Sequence, residues 1–383
     1  MANSYRVRGW VEQPNYRGTF DILWVSLVSM GISTYTMLCL NVPTPTDTWM
    51  QLVGRRVLWT ILGIIGPEFP LTYAAGQWSR AKHSVKAFRD LGYNDWHMRQ
   101  AFFADMGGFV LHARHADSFP LNAAQLCWLV RHGYIQYPKI TKKEVWDKSK
   151  QDTFTKLVTA FQGGYLIIQC IARVIQGLAI TTLELSAVAI VVCSLMFSYA
   201  WLHKPADVQT PVHLTSSHTL KEMTGNQDCD LTPLDFVDQN GPGYSANVQA
   251  FMKIPVIPYK RPIQRIPNDR FPTNPYGSQE YLLCLATLVF TAIHVAGWNF
   301  DFPTNVERLL WRLASLLLFG ITAAFWILET IAWWVWEFAT ITPLAIVYGV
   351  AWLYLIAEAF AELRNASASA YVNVEWTDFI PHV

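Results

Sequence analysis

Apolar residues along the chain gather into runs of about 20 separated by polar or proline-rich stretches. That is the spacing a hydrocarbon layer of ~30 Å imposes on helices rising ~1.5 Å per residue. A first run spans Phe20 to Leu40. A second, Val57 to Trp78, is interrupted by Gly66-Pro67-Glu68-Phe69-Pro70, where two prolines remove backbone donors; it predicts a kink, a re-entrant turn or two half-helices. Runs three (Leu157 to Gln176) and four (Leu178 to Leu202) flank Gly177 and predict a tight hairpin. The fifth covers Tyr281 to Trp298. The stretch Val306 to Phe338 is too long for one ordinary span. It reads as one tilted span continued by a Trp-rich interfacial helix (Trp326, Trp333, Trp334, Trp336), or as two spans. A last run covers Thr342 to Phe360. The pattern predicts an all-α polytopic membrane protein with seven transmembrane helices, or eight, whose surroundings are the lipid bilayer.

Two connections are long enough to fold. In 79 to 156, Ser79 can cap a helix that Gly92 ends, Asp95 can start another through Phe103, and Leu121 to His132 reads as a third with Gly133 at its end. Thr141-Lys142-Lys143-Glu144 is a capping box, and Phe109-Val110-Leu111 and Tyr134 to Tyr137 are strand candidates. In 203 to 280, Thr215 to Thr224 predicts a short helix, followed by an acidic stretch (Asp228, Asp230, Asp235, Asp238) and a proline-rich run from Pro242 to Pro275. Prolines at that density forbid a long helix, so this half is extended and is the place for a protein partner. Together the two loops predict a small helical and extended cap. The chain then divides into 1–78, 79–156, the hairpin 157–202, 203–280, the C-terminal spans 281–363 and a tail 364–383.

Composition agrees: 52% of the residues are apolar and 15% charged, against ~25% charged in soluble domains. The net charge of +1 gives no field that would draw nucleic acid. Lys and Arg cluster at Arg80 to Arg89 and Lys139 to Lys156, while 41–54 carries only Thr, Asp and neutral residues, with no Lys or Arg. The positive-inside rule therefore predicts a cytosolic N terminus and cytosolic loops, with the endoplasmic reticulum as default membrane. Seven spans then put the tail in the lumen, in agreement with the glycosylation acceptor Asn365-Ala366-Ser367; eight would make that triplet a matter of chance. Six scattered cysteines give no disulfide framework, and no metal or cofactor signature is present, His112 and His115 being too weak a pattern to count as one.

Ionisable groups within bilayer depth are costly and mark candidate sites. Glu68, Arg173, Glu184, His294 and Glu329 lie inside apolar runs, whereas Glu337, Glu358 and Glu362 stand nearer run ends. Glu68, at a helix break between prolines, suits a proton donor; Arg173 and Glu184 shape a site or compensate each other's burial. Gln162, Gln169 and Gln176, at intervals of seven, form a polar seam that lines a cavity or holds a neighbouring helix. His294, four residues before Trp298 on the same face, and Asp105 are candidate bases.

Several blocks resemble a widespread group of fungal multi-pass membrane proteins: GPEFPLTYAAGQW at 66–78, FFADMGGFVL at 102–111, FPLNAAQL at 119–126, AITTLEL at 179–185, YAWLHKPADVQTP at 199–211, IPNDRFP at 266–272, GWNFDFPTNVERLLWR at 297–312 and EWTDFIPH at 375–382. The resemblance implies a fungal source and one membrane domain with two cytosolic loops, and no agreed activity. In architecture the chain is also similar to small membrane cyclases of fungal specialised metabolism. The expected function is a membrane-embedded enzyme acting without cofactor on a lipophilic, terpenoid-like substrate, by cyclisation or isomerisation. An acyltransferase centred on His294, a channel or transporter, and a membrane scaffold are the alternatives.

Overall fold

The computed structural model describes residues 6–12, 17–149, 153–225, 233–237, 263–268, 278–331 and 338–379. The acidic residues Asp228, Asp230 and Asp238, most of the proline-rich run, Trp333, Trp334, Trp336 and Glu337 lie outside the described residues. The chain is mostly helical, with little sheet. In chain order it forms β1 (Arg6–Arg8), α1 (Thr19–Met37), α2 (Trp49–Ile65), α3 (Glu68–Asp90), α4 (Met98–Asp105), β2 (Phe109–Arg114), β3 (Phe119–Leu121), α5 (Ala123–Arg131) and α6 (Lys142–Asp147). There follow α7 (Thr153–Ile175), α8 (Thr182–Ala200), β4 (Val212–Thr219), α9 (Leu220–Thr224), α10 (Ser278–Ala296), α11 (Asn305–Ile331), α12 (Phe338–Ala361) and β5 (Asn365–Ser367).

Among the described residues, six helices are long and apolar enough to cross a membrane: α1, α7, α8, α10, α11 and α12. The count reaches seven only if α2 and α3, which meet at 109°, are one broken span. The expected break is therefore real and lies where the two prolines predicted it, but the helix after it differs from expectation. Gly66 and Pro67 make the corner, and α3 restarts at Glu68 and runs unbroken to Asp90, so Ser79 caps nothing. Pro70 is harmless because it stands in the first turn, where no intrahelical acceptor awaits its missing N–H. The long stretch after Val306 forms a single helix, α11, up to Ile331.

Contacts divide the chain into two units that interleave in sequence: Met1–Thr36 with Lys156–Leu195 and Cys284–Val383, and Met37–Thr155 with Met196–Leu283. In the first, α7 shows how a helix is built for lipid. Thr159, Gly163, Leu166, Cys170 and Arg173 are buried, while Phe154, Val158, Phe161, Tyr165, Ile168 and Ile171 are exposed, Phe161 by 79%. Water would penalise that apolar face; hydrocarbon does not. Gly163 lets α8 approach, since a Cβ there would stand 2.7 Å from Val191 Cγ1. Gly177 ends α7 with φ +67°, Leu178 N–H donating to Arg173 O and Gly177 N–H to Val174 O. The same unit holds β1 against β5, antiparallel, Arg6 opposite Ser367 and Arg8 opposite Asn365.

The second unit mixes helices with a small sheet, and the strand expected at Phe109-Val110-Leu111 lies in β2. A three-stranded sheet, β3-β2-β4, has β2 antiparallel to β3 and parallel to β4. Phe88, Trp96, Phe102, Phe103, Phe109 and Phe119 form its fully buried core with α3 and α4. Gly92 and Gly133 end α3 and α5 as expected, and Thr141 with Glu144 caps α6. Three expectations fail. The helix through Phe103 starts at Met98 with His97, not Asp95, at its cap. Tyr134 to Tyr137 is not a strand, and Thr215–Thr219 continues β4, leaving only Leu220–Thr224 helical.

Candidate functional site

Glu184 and Arg173, read from the sequence as intramembrane charges, stand at helix ends in the first unit. The segment Gly177 to Ile180 is apolar enough to hide the turn, but α8 begins at Thr182, so Glu184 lies in its first turn and Arg173 in the last turn of α7. Thr181 and Glu184 form a capping box: Thr181 N–H donates to Glu184 Oε2 (3.0 Å) and Glu184 N–H to Thr181 Oγ1 (3.2 Å). The ion-pair partner of Glu184 is not Arg173 but Arg17, whose Nη2 lies 2.5 Å from Oε1. Arg173, fully buried, turns its guanidinium to carbonyl oxygens: Ala179 from Nε and Nη2, Val372 from Nη1, Ser369 and Ala370 from Nη2, all at 2.8–2.9 Å. Glu362 accepts from Thr182 N–H (2.7 Å) and Oγ1–H (2.5 Å), so two carboxylates sit at the positive end of α8.

Two arginines and two glutamates thus form a buried knot that ties the start of α1, the α7–α8 turn and the tail. Every polar atom of the Arg173 guanidinium, and both oxygens of Glu184, have work in holding the fold. Gln176 joins them: its Nε2 donates to Glu375 O (2.8 Å) and Asp378 Oδ2 (3.2 Å), and Glu375 N–H donates to its Oε1. Of the glutamine seam, Gln176 is therefore a tail clasp, Gln162 is half-buried, and Gln169 Oε1 is buried with no hydrogen-bond partner among the described residues.

His294 is the other kind of buried group. It stands in the last turn of α10 with no exposed surface; its Nδ1 lies 2.9 Å from Phe290 O. A carbonyl only accepts, so Nδ1 carries the proton and Nε2 presents a lone pair. That atom is buried with no partner among the described residues. Aromatic rings surround it: Phe290 and Trp352 with centroids at 5.0 Å, and Trp311 at 6.4 Å, whose Nε1–H donates to His294 O. Trp298, expected beside His294, instead lies in the turn after α10, its carbonyl taking Arg312 Nε–H and its ring facing the Arg312 guanidinium. Gly297 brings Leu185, the neighbour of Glu184, against this shell; a Cβ there would meet Leu185 Cδ2 and Trp311 Nε1 at 2.9 Å. In α12, Glu358 has one oxygen 3.2 Å from Tyr354 Oη and the other buried with no partner among the described residues.

The remaining candidates belong to the second unit. Glu68 is half-buried in the first turn of α3. Asp105, buried, forms an ion pair with Arg80, Nε to Oδ2 at 2.8 Å. Nearby, Tyr137 donates to Asp95 Oδ1 (3.0 Å), and burial, then that bond, push its phenol up, so it stays a donor. Lys204, also buried, donates to Cys39 O (2.6 Å), Asn41 Oδ1 and Gln77 Oε1 (both 2.8 Å). Among the described residues no three metal-ligating side chains converge. Asn365, in β5, stands opposite Arg8 of β1, and its Oδ1 is buried with no partner among the described residues. The side chain of Glu329 lies outside the described residues.

Arg17 and Glu362 were missed as members of the knot, and Glu358 as a buried carboxylate beside Tyr354. Glu358 and Glu362, four apart across the end of α12, carried a signal; Arg17 carried none, because its partner is far away in sequence. Residues 1–229, more than half of the chain, match a protein family described as being of unknown function. No curated protein and no solved structure matches the chain.

Proposed function

The chain belongs to the DUF8562 family, whose function is unknown, and we propose that it is a membrane-embedded enzyme that moves a proton on a lipophilic substrate, with His294 as the base. The observation that carries this reading is the unpartnered Nε2 of a buried imidazole whose tautomer a backbone carbonyl sets. A partnerless buried acceptor costs roughly 1–3 kcal/mol, and such a cost persists where a substrate donor takes the vacant place. The aromatic shell of Phe290, Trp311 and Trp352 suits an apolar, terpenoid-like or isoprenoid body. Cyclisation or isomerisation asks only for this base and an acid, for which Glu358, with its unpartnered oxygen, is the counterpart in the same unit. Arg173, Glu184 and Arg17 position the elements and transfer no proton. In membranes expressing the chain, comparison of extracted lipids with those of a His294→Gln variant is expected to show a product lost by about 100-fold or more, with the thermal midpoint kept. An unchanged product profile in His294→Gln would sink the proposal. A product that appears only with an activated acyl donor would move it to acyl transfer by the same base.

The proposed embedding has six crossings, not seven. Pairing of β1 with β5 requires the residues before α1 and those after α12 to share one side of the bilayer, hence an even number of crossings. The six long helices satisfy this, and the corner between α2 and α3 then belongs to a re-entrant pair. The basic residues of 79–156 favour the cytosol for that loop, so crossing by α1 places residues 6–18, and with them Asn365, on the lumenal side. Single cysteines substituted at Glu12 and at Asp378 are expected to react equally with a membrane-impermeant thiol reagent in sealed vesicles, and oppositely to one at Lys86. Opposite accessibility of the first two would exclude six crossings.

A further inference from the structure

We propose that His112 and His213 form an open two-histidine site for a divalent transition metal such as zinc. The two residues lie on neighbouring parallel strands: in register Val110 stands opposite His213 and His112 opposite Thr215, so the histidines are diagonal neighbours on one face. Phe109 and Leu111 point the other way and are fully buried, which anchors β2 and fixes the face that His112 presents. His213 is exposed and His112 half-exposed.

Their rings converge, Nε2 of His112 lying 2.7 Å from Nδ1 of His213, with centroids 4.9 Å apart. In the free chain that contact shares one proton between two bases. A zinc ion bound at ~2.0–2.1 Å by each nitrogen needs them about 3.3 Å apart at a tetrahedral angle, so the rings have to part by only about 0.6 Å from the 2.7 Å contact. The nitrogens not used, Nδ1 of His112 and Nε2 of His213, then carry the protons, as ligating imidazoles require. Imidazole pairs suit zinc, copper and nickel rather than magnesium or calcium.

The nearby cations do not block the site. Arg114, two residues on along β2, directs its Nε to His115 Nε2 at 3.2 Å. No third protein ligand joins the pair among the described residues, so two coordination positions are left to water or to a donor brought by another molecule, the open form that exchangeable sites take.

Calorimetric titration of zinc chloride into the purified full chain in a nonionic detergent tests this. One ion per chain is expected, with proton release on binding. His112→Ala and His213→Ala should each weaken binding roughly 10-fold or more, because chelation by two linked ligands is lost, while His132→Ala should leave it unchanged. The substituted side chains are exposed enough that thermal midpoints should stay as in the parent chain, and His112→Gln gives a second variant should alanine perturb the strand. Failure to bind zinc overturns the proposal. So does a fall in stoichiometry at unchanged affinity in the single variants, which would mark independent surface histidines.

Discussion

Arg173→Met is expected to free the residues after α12 from the bundle and to lower the stability of the detergent-solubilised protein by about 3–5 kcal/mol, the usual cost of opening a buried charged network from one side. Methionine fills a similar volume, so the loss is one of hydrogen bonds. The carbonyls of Ala179, Ser369, Ala370 and Val372 lose the donors of one guanidinium. Gln176 and the β1–β5 pair still hold Glu375 to Asp378 and residues 365–367, but between them residues 369–372 keep only the Arg17 contacts and the Ala179 N–H bond to Ser369 Oγ. Lysine at 173 should recover part of the stability, since one ammonium offers three donors where the guanidinium fork offers five. Thermal unfolding with limited proteolysis of residues 362–379 is the measurement. An Arg173→Met chain with the parent's midpoint and the parent's resistance to cleavage would show that the knot does not bear this weight.

Gly108→Ala should be nearly as damaging, by more than about 3 kcal/mol, and for a backbone reason. A Cβ at this position would stand 2.4 Å from the carbonyl oxygen of Phe103 and 2.6 Å from its ring. The oxygen belongs to α4 and accepts Gly108 N–H itself at 2.8 Å, and the ring is fully buried, so neither can step aside. The strand β2 has to leave the helix, and with it the partners on both its edges. Gly92→Ala is the instructive comparison: φ is +91° but the surrounding space is open, so only the roughly 1 kcal/mol of a left-handed non-glycine residue is due. Equal thermal midpoints for the two variants would refute the argument.

What could be read from the sequence was what short-range chemistry decides. Glycines 92, 133 and 177 announced helix ends because a positive φ is cheap only there, and Thr141 with Glu144 announced a start because the box is complete within four residues. Thr181-Thr182-Leu183-Glu184 is a box of the same kind, and reading it would have moved Glu184 from mid-membrane to a helix start. Strand β4 was hidden for another reason: Val212 and Leu214 alternate with polar neighbours, but the inward positions then turn to Ser216, so the apolar rhythm fades before the strand ends. The partners were illegible wherever they are distant. Arg17 and Glu184, or Arg173 and Ser369, are joined by folding alone, and apolar runs record the bilayer rather than the pairings inside it. His294 was recognisable as a candidate, whereas its missing partner and its shell of Phe290, Trp311 and Trp352 required the packing of three helices.

The strand pair β1–β5 also sets an order of events during synthesis. Its two halves are among the earliest and the latest described residues to leave the ribosome, and the carbonyls that satisfy Arg173 belong to the later half. Until then, Arg17 has Glu184 but not Ala370 O, Arg173 has Ala179 O but not the carbonyls of Ser369, Ala370 and Val372, and the first unit, drawn from three separate stretches, cannot close. The second unit's stretches are complete earlier, by Leu283. The first unit therefore closes later in synthesis than the second, and it stays open in chains damaged within residues 365–372.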